Sequence, residues 1–386
     1  MFDLVPQNSQ TPKIAVFGVG GCGCNTINQL SQSPLADNVE LIAVNTDAQS
    51  LQISSCSTRL QIGLEATKGL GAGARPQKGY EAAQESQTQL REHIELADVI
   101  FVTGGMGGGT GTGAIPFMAS IAKEFNKPLV AVVTSPFSFE GSQRGQLAQA
   151  GVDELIQYAS AVIVLPNDQL LKALDKKISV VNAFYESNRI LQDVLQGLTT
   201  TISQSGLINI DLNDFIAVVS HQGRAAMGVA RQMAGEDLQL TIDKALKNPL
   251  LEKVNLCKAK GAIVSVMATE SIELSQYNSI GETLLKQLEP SAMVIIGLTI
   301  VPELDCELEL MVIATGMQEA ENGLLDEHNA EADEPQTKPL KTRFDTSELL
   351  NLHDFLKQKA VIGANEDRHD EELEIPTYTR NQRAAN

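Results

Sequence analysis

From Ile14 to Asp168 the chain alternates short apolar runs with longer stretches of mixed polarity. IAVFGVGG (14–21), VELIAVNTD (39–47), ADVIFVTGG (97–105), PLVAVVTSP (128–136) and SAVIVLPND (160–168) have strand length, are rich in β-branched residues, and end on glycine, proline or Asx. Between them, GYEAAQESQTQLREHIEL (79–96) carries helix formers and predicts one helix. Strands alternating with helices predict a parallel sheet covered on both faces, with any ligand outside the carboxyl ends of the strands. Three turns fall at such ends: GVGGCGCN (18–25), GGMGGGTGTG (104–113) and TSPFSFEG (134–141).

A helical pattern over NAFYESNRILQDVLQGLTTTISQ (182–204) follows, and a second α/β unit is expected after it. FIAVVSHQGRA (215–225), GAIVSVMAT (261–269), AMVIIGLTIV (292–301) and ELELMVIATG (307–316) read as its four strands, with one or two helices between. The regular pattern stops near Gly316. From Gln318 to Glu374 there are 16 Asp and Glu against 6 Lys and Arg, the composition of a solvated, disordered linker. Within it, FDTSELLNLHDFLKQKAVIG (344–363) has a capping box at Asp345 and Glu348 and predicts a short, transient helix. The last stretch, EELEIPTYTRNQRAAN, changes character again, with Arg380 and Arg383 after an apolar turn.

Charge narrows the classes. A net −19 over 386 residues with no basic patch argues against nucleic acid as a partner, and against anionic lipid. No run approaches a membrane span of about 18 apolar residues, so direct membrane insertion is not expected. Five cysteines in no regular framework suit a reducing compartment. The opening MFDLVPQNSQTPK lacks the basic-then-apolar layout of a signal peptide, so a cytoplasmic protein is expected.

The glycines ask for a ligand. Seven of the ten residues of GGMGGGTGTG are glycine, the residue that loses most backbone freedom on folding. A bare turn between strand and helix exposes N–H groups at the positive end of a helix dipole, where phosphate binds. GVGGCG (18–23) alone matches G-x-G-x-x-G and fits a nicotinamide dehydrogenase, with Asp37 and Glu40 near the ribose-binding spacing. It also fits a tight packing turn with no ligand. Two glycine clusters at strand ends fit a triphosphate better. There is no G-x-x-x-x-G-K-[ST], so a P-loop is excluded.

GGGTGTG (107–113) resembles the signature of the tubulin superfamily. Together with GVGGCGCN, AVNTDAQSL (43–51), TKGLGAGARP (67–76), PFSFEG…R (136–144), LPNDQLL (165–171) and INIDLNDF (208–215), the chain resembles the FtsZ family of bacterial division GTPases over residues 12–317. The resemblance implies a Rossmann-type parallel-sheet GTPase domain and a second α/β domain joined by a long central helix. The expected divisions are a flexible N-terminal tail (1–12), a nucleotide-binding domain (13–181), the helix (182–204), a C-terminal domain carrying a hydrolysis-activating loop (205–317), an acidic linker (318–373) and a partner-binding peptide (374–386). It implies GTP and GDP as ligands, with Mg2+ held mainly by the nucleotide and no side-chain metal site. The nucleotide contacts it implies are Gly21, Cys22, Gly23, Cys24 and Asn25 in the first loop, Gly108, Gly109, Thr110 and Gly111 as phosphate cradle, and Gly71 and Gly73 near the γ-phosphate. Glu140 would meet the ribose, Arg144 phosphate or sugar, and Phe184 the base. Read without the resemblance, Glu140 and Arg144 are an i,i+4 surface ion pair, and the 208–215 string is Asx turn chemistry. With it, Asn209, Asp211 and Asp214 enter the nucleotide pocket of the next subunit and polarise the attacking water, so hydrolysis is coupled to head-to-tail assembly into filaments of the division ring at midcell. The tail peptide implies docking to membrane-tethering division proteins such as FtsA.

The sequence departs from that pattern in places. Cys22 and Cys24 stand where glycine is usual, and a thiol pair there opens a redox or metal alternative. Arg189 falls where an Asp would accept from guanine; arginine only donates, which leaves Asn188 to supply an acceptor through its amide oxygen. In the tail, Thr379 replaces an apolar anchor. A divergent copolymerising paralogue with weakened nucleotide specificity is the alternative within the family.

Overall fold

The computed structural model describes residues 12–33, 38–173, 178–203, 206–221, 223–246, 256–301 and 304–317. The expected linker, its 344–363 helix and the 374–386 peptide lie outside them. Six strands, β1 (Ile14–Val19), β2 (Val39–Asn45), β3 (Thr58–Gln61), β4 (Val99–Gly105), β5 (Leu129–Ser135) and β6 (Ala161–Pro166), are all parallel. They take the order 3-2-1-4-5-6 of doubly wound nucleotide-binding sheets. The helices that connect them are α1 (Gly20–Leu30), α2 (Ala48–Gln52), α3 (Leu64–Thr67), α4 (Pro76–Glu85), α5 (Gln87–Leu96), α6 (Thr110–Glu124) and α7 (Ser142–Ile156). Successive strand residues face opposite sides. Val16 and Phe101 pack with Ile27 and Leu30 of α1, whereas Phe17 and Val102 pack with Leu90, Ile115 and Leu155 of α5, α6 and α7.

After β6 come α8 (Asn167–Ala173) and α9 (Val180–Ser203), whose buried face lies on the first side of the sheet through Leu191, Val194, Leu195 and Leu198. The chain then forms α10 (Leu212–Val219), β7 (Arg224–Gln232), α11 (Leu238–Leu246), β8 (Gly261–Ala268), α12 (Leu274–Gln287), β9 (Met293–Ile300) and β10 (Leu308–Met317). The second half continues the same sheet in the order β6-β7-β10-β8-β9. The junction is narrow: β7 joins β6 only through Arg224 beside Val162 and Ala225 beside Ile163. Beyond it, β10 runs antiparallel to both β7 and β8.

Two local expectations differ, and one strand carried no signal. FIAVVSHQGRA is not one strand: its apolar half is α10, and the strand starts at Arg224. Asp211 caps that helix through a 2.7 Å bond from the Asp214 N–H, and a short apolar run suits a buried helix as well as a strand. The 79–96 helix is two helices broken at Ser86, whose hydroxyl instead accepts from the Gly63 N–H at 3.0 Å. The edge strand β3 has three half-exposed residues and one exposed, Arg59, and no apolar run to signal it.

Candidate functional site

β1 and β4 are neighbours, with Val19 beside Gly104, so the helices that follow them start side by side. Neither α1 nor α6 has a side-chain N-cap bond, which leaves first-turn N–H groups without a side-chain partner. Gly20 turns the chain into α1 at φ +73°, and a Cβ there would stand 3.4 Å from the Gly111 nitrogen. The two helix N-termini thus converge, and their dipoles add at one point.

The glycines of the two turns divide by what a side chain would meet. A Cβ at Gly23 would lie 2.5 Å from the Thr103 carbonyl oxygen, and one at Gly111 would lie 2.6 Å from that of Gly105. At Gly109 it would press on Ala72 and the Arg75 backbone at 2.7 and 2.9 Å. These glycines are required by packing. At Gly21 and Gly108 a Cβ would meet nothing within 4 Å. Glycine at those two positions, beside free N–H donors, fits a ligand that comes against the main chain, and triphosphate oxygens suit the donors. Gly71 and Gly73 lie in the adjoining loop, whose Ala72 packs on Gly109; the loop is pinned by the Gly71 N–H donating to the Thr46 carbonyl at 3.3 Å. Thr46 in turn exchanges a 2.7 Å hydroxyl bond with Thr110.

β5 delivers the third wall. Phe139 stacks on buried Phe137 at 4.9 Å, and Phe184 of α9 stands edge-on to Phe137 at 5.1 Å. Phe139 remains 57% exposed and Phe184 39%, so an aromatic corner faces outward at the head of α9. Glu140 accepts from the Phe137 N–H at 2.9 Å and from Arg144 at 2.6 Å. The i,i+4 ion pair read from the sequence therefore exists, and it borders the same pocket. Asp168 fixes this turn by accepting from the Ser138 N–H at 2.8 Å and from the Ser138 hydroxyl. Sequence reasoning missed Phe137, Phe139, Ser138 and Asp168; Asp168 sits in the LPNDQLL string but nothing there signals its partner.

The cysteines do not form a pair. Cys24 is buried and its thiol donates to the Gly18 and Val44 carbonyls at 3.7 and 3.6 Å. Cys22 turns the other way, to Asn188 at 3.4 Å. Burial pushes the two thiols up to about 12 and about 11, so both are neutral donors at physiological pH and unsuited to redox or metal chemistry there. The Asn188 oxygen is thus turned to a thiol. Arg189 is 7% exposed and pairs with Glu186 at 3.6 Å. Asn25 stands exposed in the first turns of α1. Among the described residues no three His, Cys, Asp or Glu gather as a metal site.

Asn209, Asp211 and Asp214 are not brought to this pocket. Phe184 stands near the head of α9, and the turn follows the far end of that helix at Ser203, 19 residues or roughly 28 Å along its axis; Ile208 bridges there to Leu298 of β9, and Phe215 packs on Phe101 of β4. Asn209 accepts from the Gly206 N–H and Asp211 from that of Asp214. The Asp214 carboxylate has no hydrogen-bond or ionic partner among the described residues.

Known proteins share this fold. The family model described as "Tubulin/FtsZ family, GTPase domain" matches residues 13–175, and "FtsZ family, C-terminal domain" matches 223–318. The chain is 36% identical to the cell division protein FtsZ of Coxiella burnetii over 98% of this chain and 99% of that one. It is 40% identical to that of Pseudomonas putida over 82% and 79%. A solved FtsZ dimer from M. jannaschii superposes with a TM-score of 0.76 at 35% identity, covering 81% of this chain and 90% of that one.

Proposed function

The chain belongs to the FtsZ family of tubulin-like GTPases, and on that premise we propose that it polymerises head to tail, each nucleotide being hydrolysed between two subunits. The dehydrogenase reading is set aside by the family, and nothing in the comparisons favours the copolymerising paralogue. The observation that carries the proposal is the pair of open glycines, Gly21 and Gly108, at two converging helix N-termini, with the acidic turn beyond the other end of α9, roughly 28 Å along the helix from Phe184.

In this reading the N–H groups of Gly21 to Asn25 and of Gly108 to Gly111 hold the phosphates, and the Gly71–Gly73 loop closes over the γ end. Glu140 and Arg144 meet the sugar, and the base lies against Phe184 and Phe139. Asp214 of the neighbour orients and polarises water. Asp211 and Asn209 hold the turn that presents it, since their side-chain oxygens already accept local N–H bonds. Mg2+ bound with the triphosphate would neutralise charge that two carboxylates nearby would otherwise oppose. Exposed apolar residues border both halves, Leu70 beside Gly71 and Leu207 and Ile208 beside Asn209, as a contact between copies requires. Residues 374–386 would dock to membrane-tethering division proteins such as FtsA, and that docking would hold the polymer at midcell.

Sedimentation with GTP, ATP or no nucleotide, read with phosphate release, tests the proposal. Polymer should form with GTP, and activity per subunit should rise with protein concentration. Flat specific activity from dilute to concentrated protein would refute the shared site.

A further inference from the structure

Cys22 is the side chain in the first turn of α1 that reaches α9. Its sulfur lies 3.4 Å from Asn188 Oδ1 and 3.9 Å from Thr134 Oγ1. The fit is close: a Cβ on Gly105 would stand 3.2 Å from the Cys22 Cβ and 3.6 Å from its sulfur, so the glycine leaves the thiol its place. An amide has an acceptor end and a donor end. With the oxygen turned to the thiol, the NH2 of Asn188 points elsewhere. The reverse orientation would set the NH2 against sulfur, a weak acceptor. Burial keeps the thiol protonated, its pKa pushed up to about 11, so it remains a donor throughout the physiological range.

We infer that Cys22 determines base specificity by holding the Asn188 amide with its donor end toward the base. The inference rests on the nucleotide-binding reading above and deepens it. Guanine offers two donors on one edge, N1–H and the 2-amino group, and acceptors at O6 and N7. A donor-only amide can meet the acceptors and leaves the 2-amino group unread. Arg189 adds no acceptor, because a guanidinium only donates and this one is paired with Glu186. Inosine triphosphate differs from GTP only in lacking the 2-amino group, so the two nucleotides isolate the effect.

The experiment is equilibrium binding of GTP, inosine triphosphate and ATP to the full chain, to Cys22→Ala and to Cys22→Ser. Wild type should bind GTP and inosine triphosphate within about 3-fold of each other, because no amide oxygen reads the 2-amino group. Cys22→Ala keeps the Cβ and frees the amide oxygen, so GTP should gain roughly 10-fold over inosine triphosphate, as one recovered hydrogen bond allows. Cys22→Ser restores a donor and should return the ratio to the wild-type value. The inference is overturned if wild type already prefers GTP to inosine triphosphate by 10-fold or more, a result that needs no variant to fold. It is equally overturned if Cys22→Ala leaves the ratio unchanged while GTP still binds. If no nucleotide binds wild type, the nucleotide reading itself fails and takes this inference with it.

Discussion

Replacing one glycine of the 104–113 turn by alanine should weaken nucleotide binding without harming the fold, and replacing its neighbour should do the opposite first. At Gly108 the new methyl meets no protein atom within 4 Å. Its φ is not among the positive ones, so alanine is allowed, and the loss of freedom in the unfolded chain should stabilise the protein by about 0.4–1 kcal/mol. In a chain of this size that raises the thermal midpoint by less than about 4 °C. The methyl does occupy the space where a phosphate oxygen would approach the main chain. One lost N–H bond to a charged acceptor costs about 1.5–3 kcal/mol, or roughly 10- to 140-fold in affinity. At Gly109 the methyl would press on Ala72 and on the Arg75 backbone at 2.7 and 2.9 Å, and backbone cannot swing aside. Overpacking of that kind costs about 1–3 kcal/mol of stability. The assay is a thermal melt of each variant without nucleotide, followed by titration with GDP, which avoids turnover. If Gly108→Ala binds GDP as tightly as wild type, the open space is not the phosphate cradle. If its melting point falls as far as that of Gly109→Ala, the division of the glycines into packed and open is wrong.

Other expectations follow from the same geometry. Asp214→Ala should bind nucleotide and sediment as polymer, yet release phosphate more slowly by roughly 100-fold or more, since a positioned acid or base contributes on the order of 10²- to 10⁴-fold; unchanged turnover would remove it from the shared site. Arg189→Asp would set a third acid beside Glu186 and Asp193 on the same helix, and breaking a mostly buried pair costs about 3–5 kcal/mol, so a large drop in melting temperature is expected before any change in base preference is read. The Cys22 and Cys24 thiols keep protons to about 11 and about 12 that an unfolded chain gives up near 9. Their folded pKa values are raised, so this stability is whole below about pH 9 and is lost as pH climbs through the folded values; melting temperature should fall over that window, and less steeply in Cys24→Ala. Removing residues 374–386 should leave assembly and GTP hydrolysis intact while abolishing binding to a membrane tether such as FtsA, and equal binding by the truncated chain would disprove the role of that peptide.

Much of this was legible in the chain, for reasons that differ by element. The parallel strands announce themselves because both faces are buried, so Val16, Phe17, Phe101 and Val102 must all be apolar. The glycine turns were legible as places where something comes close to bare main chain, although the sequence does not tell Gly108, which is open, from Gly109, which is packed. α10 was misread because Phe215, Val218 and Val219 form an apolar run too short to show a period. The aromatic corner was half legible. Phe184 and Asn188 were singled out through the family pattern, but the Phe137–Phe139 stack, the Ser138–Asp168 clamp and the Cys22–Asn188 bond join segments 30 to 166 residues apart or depend on a turn's shape. No local signal encodes them.

If the glycine turns near the head of α9 and the acidic turn beyond its other end are the two halves of one site, as proposed, any row of subunits has an arithmetic. A row of n copies joined in one direction contains n − 1 completed sites. One terminal copy holds a nucleotide that no neighbour can attack; the copy at the other end presents Asp214 to open solvent. The two tips are therefore chemically unlike even though every link is the same. Hydrolysis counts junctions rather than molecules, so cutting one row into two abolishes one active site at the break, while annealing two rows creates one.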